Sequence, residues 1–244
     1  MFKHALVQEA AYQSLTRHTR QHCHQRIAQV LAERFPETVE TQPELLAYHY
    51  TEAGLLEQAI PYWLRAGQHA VERSANTGAI SHLTKGLEVL EMLPATPERV
   101  QQDLALHLAL GAPLLIIKGN TAPEVERVYT RAQGLCQQIG ESPQLFSALM
   151  GLWRFSLNRP RLQTARALGE QYLGLAQRRQ DPVRLQEAHL MLGSTLVYLG
   201  EPTSACVHLE QSIALYDPQQ NRSLTFSHGT DPRVVCLSRM AWAL

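Results

Sequence analysis

The chain has 244 residues, with 22 Lys plus Arg against 22 Asp plus Glu, so its formal charge is zero with histidine neutral. That balance gives no electrostatic reason to expect a nucleic-acid partner. Apolar residues make up 45% of the chain, enough for a core, yet the longest wholly apolar run, near residues 114–117, is far too short to span a bilayer. No signal-peptide pattern opens the sequence, and the four cysteines (23, 136, 206 and 236) stand singly with no CxxC pair. Reduced thiols and a cytoplasmic location are therefore expected, with no membrane partner. Leu, Ala, Gln, Glu and Arg dominate, which favours helix throughout.

Residues 3–34 read as two helices, with Phe2, Leu6, Ala10 and Leu15 striping the first and Ile27, Val30 and Leu31 the second. Residues 35–42 (FPETVETQ) read as a polar loop, and Pro43 starts the next helix at a favoured position. Helices follow at about 43–53, 56–73 and 77–92, with Pro61 early enough in its helix to kink rather than break it. Thr96-Pro97-Glu98 combines a capping hydroxyl, Pro at the first helical position and early negative charge. Thr121-Ala122-Pro123-Glu124 reads as a capping box opening a helix whose face runs Val125, Val128, Tyr129, Ala132, Leu135, Cys136 and Ile139. Further helices are expected near 143–157, 161–178 and from Asp181-Pro182. A long polar loop covers 217–233, and a last helix begins at Val234 with Leu237 and Ala241 on one face. No hairpin or alternating strand pattern is present.

Two stretches match without gaps. Leu192, Gly193, Leu196, Gly200, Ala205, Leu209 and Ser212 pair with Leu46, Ala47, Tyr50, Gly54, Ala59, Trp63 and Ala66. Each reads as two helices folded back on one another across a Gly turn, with small residues where the backbones meet. The pattern resembles the tetratricopeptide repeat. That resemblance implies an all-α solenoid of antiparallel helix pairs, a right-handed superhelix of about eleven helices.

The opening MFKHALVQEAAYQSL with HQRIAQVLAERF, and downstream phrases such as PELLAYHYTEAG, AIPYWLRAGQ and LEQSIALYDPQ, resemble the repeat arm of bacterial STAND-class signalling ATPases. In many of these an adenylate or guanylate cyclase or a kinase domain lies nearer the N-terminus. The organisation so implied is a helical junction at 1–34, first repeat helices at 35–95, further pairs at 96–216, and a loop with a truncated helix at 217–244. Its last helix stops before a partner, so the chain reads as a piece of a longer protein. Gln8 and Arg161 depart from the family's usual Arg and Gly turn.

Within the chain there is no GxxxxGK[ST] loop to cradle phosphates and no aspartate pair in a strand context. No catalytic residue and no cofactor is assigned. Phe2-Lys3-His4-Ala5-Leu6 resembles in placement the class's nucleotide-sensing histidine motif, with Ala5 in place of the acid, so His4 has that role only beside an ATPase domain. The family's ligand-facing positions fall on Tyr48, Thr51 and Glu52 in one repeat and on Ser194, Val197 and Tyr198 in the other. The expected function is non-catalytic binding of a protein or peptide on a concave helical face, coupled to an ATPase or cyclase module of the same parent chain. The alternative is an unrecognised metal or catalytic site near His18 and His22, which share a helix face four residues apart. His24 and Cys23 point away from that pair, so no metal set assembles there. Cys206 and His208, two apart, diverge by about 200° on a helix. Trp63, Trp153 and Phe155 are read as packing, as is Cys136.

Overall fold

The computed structural model describes residues 5–140, 142–219 and 231–243, with side chains from Glu9 onward. Every regular element among the described residues is an α-helix: α1 (Ala5–Ser14), α2 (Arg17–Arg34), α3 (Pro36–Thr41), α4 (Pro43–Ala53), α5 (Leu56–Glu72), α6 (Asn76–Glu91), α7 (Pro97–Lys118), α8 (Pro123–Ile139), α9 (Leu145–Leu157), α10 (Leu162–Arg179), α11 (Pro182–Leu199), α12 (Pro202–Ala214) and α13 (Pro232–Ala243). Seven of these thirteen begin at a proline, whose fixed φ and missing N–H suit the first helical position. The chain divides into two compact units, residues 1–117 and 118–244. The division falls at the end of α7.

In the first unit α4 packs on α2, α3 and α5, and α5 on α6. The segment 35–42, expected as loop, holds helix α3. Pro36 opens it, the Thr41 hydroxyl donates to the Glu37 carbonyl at 2.9 Å, and Val39 is buried with Ala28 and Leu46. A short polar sequence with a single buried residue is still helical when that residue finds a core. The Thr96 hydroxyl accepts from the Arg99 N–H at 3.2 Å, as its sequence suggests. Helix α7 is long and apolar enough by length and composition to cross a membrane, although no wholly apolar run in it is long. It buries Asp103, Leu104, Leu106, Leu110, Gly111, Pro113 and Leu114, and Leu106 fills the space beside Gly86 of α6. An added Cβ at Gly86 would stand 2.8 Å from Leu106 Cδ2.

In the second unit α8 packs on α9, α9 on α10, α10 on α11, and α11 on α12 and α13. The cap of α8 is Ala122, with no side-chain hydrogen bond, so Thr121 forms no capping box; Pro123 and the early Glu124 and Glu126 open the helix without it. Asp181 does cap α11, its carboxylate accepting from the Arg184 N–H at 3.1 Å. Asp231 caps α13 in the same way, accepting from Arg233 at 2.7 Å. That helix turns Pro232 and Cys236 inward against α11 and α12, and leaves Leu237 and Ala241, expected on its apolar face, exposed.

The two matched hairpins, α4–α5 and α11–α12, end their first helices identically. Gly54 and Gly200 have φ of 77° and 73°, a left-handed conformation that costs glycine nothing. The next residue then bonds back across the turn, Leu55 N–H to the Tyr50 carbonyl at 2.9 Å and Glu201 N–H to the Leu196 carbonyl at 3.0 Å. This is the Schellman arrangement, which satisfies carbonyls the helix end would leave bare. Leu46, Ala47, Ala59, Trp63 and Ala66 are buried, as are Leu192, Gly193, Leu196, Ala205, Leu209 and Ser212. The approach at Gly193 is close enough that a Cβ would lie 2.6 Å from Leu209 Cγ and 3.2 Å from its backbone N. Only a missing side chain allows the helices to meet there.

Candidate functional site

In α4 the stripe Leu46, Ala47 and Tyr50 faces the hairpin seam, which turns Tyr48 and Glu52 outward. Tyr48 is 45% exposed. Its ring meets His24 and His49 edge-on, at centroid distances of 5.6 and 5.4 Å. Burial raises its phenol above the ordinary range, with the Glu52 charge and Tyr12 adding to it. Thr51 is engaged within the hairpin. Its hydroxyl donates to the Ala47 carbonyl at 2.8 Å and accepts from the Trp63 indole at 3.0 Å.

Beside Tyr48 runs a chain of rings. The Tyr12 hydroxyl lies 2.8 Å from His24 Nε2, and His24 Nδ1 lies 2.8 Å from His49 Nδ1. His24 is buried, 6% exposed, so both its nitrogens are spent on protein partners. Burial holds His49 below the usual histidine range, His24 adds to this, and Glu52 opposes it. The chain ties α1 and α4 to the middle of α2. His18 and His22 are exposed on α2, and among the described residues no group of three or more His, Cys, Asp or Glu side chains is placed to hold a metal.

In α11 the three proposed ligand-facing residues separate. Ser194 is 1% exposed and its hydroxyl has no partner, because α11 is packed on several sides; it is not on an open surface. Val197 is half-buried, while Tyr198 is 44% exposed. Tyr198 accepts a hydrogen bond from Arg239 of α13, whose guanidinium lies 4.7 Å from both the Tyr198 and Trp242 ring centres. Such stacking holds a cation against aromatic faces that are half in water. His4 lies outside the described residues.

Sequence reading missed a buried ionic cluster in this unit. Glu187 of α11, 4% exposed, accepts from Arg184 at 2.7 Å and from the Tyr172 hydroxyl of α10. Burial raises the Tyr172 phenol, with the Glu187 carboxylate behind it. Burial pulls the Arg184 guanidinium down, but Glu187 and Tyr172 together, by charge and by hydrogen bond, outweigh it and the net shift is upward. Arg184 and Arg179 also flank the Phe146 ring, at 5.2 and 5.9 Å. A buried carboxylate held by a cation and a hydroxyl fixes the register of α10 against α11. The one signal available was Arg184 and Glu187, three apart on a helix. A second missed contact is His189 Nδ1 against His208 Nδ1 at 2.9 Å. His208 thus meets a histidine on α11 rather than Cys206 on its own helix. Cys136 is buried, and burial raises its thiol.

Of the six positions, Tyr48, Glu52 and Tyr198 are exposed, and Arg239 engages both the hydroxyl and the ring of Tyr198. No family model matches the chain. It is similar to an uncharacterized protein of Rhizobium meliloti (strain 1021), with 26% identity over 246 aligned positions that cover 100% of this chain and 24% of that protein. The chain thus spans about a quarter of the length of the relative it matches.

Proposed function

We propose that this chain is a tetratricopeptide-like helical repeat arm that binds a protein or peptide and does no chemistry of its own. The parent would be a longer cytoplasmic signalling protein of the STAND ATPase class, with a cyclase or kinase module that the arm regulates. One observation carries the reading. Two hairpins in separate units share seven positions without a gap, the same left-handed glycine and the same backward hydrogen bond. A unit repeated with its turn intact is the signature of stacked helical pairs, whose task is to present a surface. The similarity to a chain roughly four times longer is in keeping with an arm of a larger protein.

Tyr48 and Glu52 are the proposed partner contacts in the first unit and Tyr198 in the second. Peptides selected by display on the purified chain are expected to lose affinity when Tyr48→Ala or Tyr198→Ala is introduced, with the melting temperature nearly unchanged. Half-exposed tyrosines contribute little to a core but much to an interface. Selected peptides indifferent to both substitutions, or affinity losses that track falls in melting temperature, would overturn the proposal.

A further inference from the structure

The contact between His189 and His208 is more than a packing detail. It joins two helices of one hairpin, and both imidazoles are half-buried, so each retains an edge toward water. The rings are tilted at 35° with centres 5.1 Å apart, neither stacked nor perpendicular. With metal–nitrogen bonds of about 2.0–2.1 Å, two nitrogens at a right angle stand about 2.9 Å apart, and two at the tetrahedral angle about 3.3 Å. The observed Nδ1–Nδ1 separation of 2.9 Å fits the right-angle bite.

A second observation lies one turn away. Gln186 precedes His189 by three residues, on the same α12-facing stripe of α11. The Ser212 hydroxyl, four residues after His208 on α12, donates to the Gln186 backbone carbonyl at 3.0 Å. The Gln186 side chain is 1% exposed, yet neither its amide oxygen nor its amide nitrogen has a partner. Buried amides without partners are rare and call for a reason, of which a bound ion or its water is one.

We infer that His189 and His208 form a chelating site for a divalent ion of tetragonal preference, copper(II) or nickel(II), with water completing the sphere and the unpartnered Gln186 amide one turn away on the same helix. Imidazole suits these ions, and right-angle geometry favours them over tetrahedral zinc. The His24–His49 pair has nearly the same separation but is no such site, since His24 is buried and its other nitrogen is held by Tyr12.

The exposed His18 and His22, four apart on α2, are a competing chelate and must be removed first. In the H18Q/H22Q protein, titration with copper(II) is expected to give one bound equivalent, with an electron paramagnetic resonance spectrum of tetragonal copper carrying nitrogen couplings. Adding His189→Gln or His208→Gln should abolish that equivalent while the helical circular dichroism persists. Copper binding that survives both substitutions, or its absence from folded H18Q/H22Q protein, overturns the site. Should a substitution unfold the hairpin, the unaltered protein decides. Copper should shield His189 and His208 from diethyl pyrocarbonate, and equal labelling of both with and without copper refutes the inference.

Discussion

The two matched hairpins differ most in their first helices. In the second unit α11 runs unbroken from Pro182 to Leu199. Carrying the gapless alignment back places Pro36 opposite Pro182 and Ala53 opposite Leu199, so α3 and α4 together span what α11 spans alone. The break falls at Gln42, with φ −135° and ψ 60°, directly before Pro43. The residue matching Pro43 is His189. Proline inside a helix removes a hydrogen bond, clashes with the preceding turn and pushes the residue before it out of helical geometry. One residue therefore decides whether the same architectural element is one helix or two. The continuous version carries more, since only α11 has the length to hold Arg184 and Glu187 against Tyr172.

The largest test imposes the first unit's break on the second. His189→Pro should split α11 and cost about 3 kcal/mol or more, read as a lower denaturant midpoint. The Arg184–Glu187–Tyr172 cluster lies just before the substitution, so cooperativity should fall as well. A midpoint within error of the parent protein would mean that α11 is already discontinuous in solution.

A smaller test concerns a compensated exchange. Trp63 of α5 buries its indole and gives its N–H to Thr51. At the matching positions stand Leu209 and Val197, an apolar pair with nothing to satisfy. Indole with hydroxyl and isobutyl with isopropyl are two solutions to one seam, because a buried donor needs an acceptor. The indole bond recurs in the second unit between different helices, Trp153 to Thr195 at 2.9 Å, with Thr195 again donating four residues back, to Met191. Thr51→Val should cost about 1–3 kcal/mol by leaving the indole N–H unpaired. Next to Trp63→Leu the same change should cost much less, and a double-mutant cycle with denaturant unfolding measures the coupling. Strict additivity would show that the bond contributes nothing.

These pairs mark how far the sequence was legible. Helix existence was readable almost everywhere, because proline starts, glycine stops and apolar stripes agree. Helix α3 was hidden, since six polar-rich residues with a single buried valine give no periodicity; only the alignment of Pro36 with Pro182 betrays it. The face of α13 was misread because Leu237 is more apolar than Cys236, yet position relative to α11 and α12 chose the cysteine. Of the residues proposed to face a partner, Tyr48, Glu52 and Tyr198 are exposed. Ser194 is not, since how many sides of a helix are buried depends on how many neighbours it has and not on its own residues. The histidine contacts were illegible for the same reason: 24 with 49 and 189 with 208 are pairings across helices.

The smallest effect is one of pH, and it belongs to the first unit's ring chain. His49 faces His24, Tyr48 and, on its own helix, Glu52, with Tyr12 behind His24. Its folded pKa is lowered, by burial first and His24 next, against the pull of Glu52. The unfolded chain therefore binds a proton at His49 before the folded one does. Stability should be at its full value above the unfolded pKa of about 6.5, and should fall as the pH drops from there toward the lowered folded value. Because His49 is half-exposed, solvent weakens the effect and only its sign is secure. A His49→Gln protein can keep a hydrogen bond to His24 but has no imidazole to charge, so its melting temperature should decline less than the parent's over the same acid range. Parallel declines in the two proteins would place the acid sensitivity elsewhere. They would leave His49 as a hydrogen-bonding link between α4 and α2 with no part in the acid response.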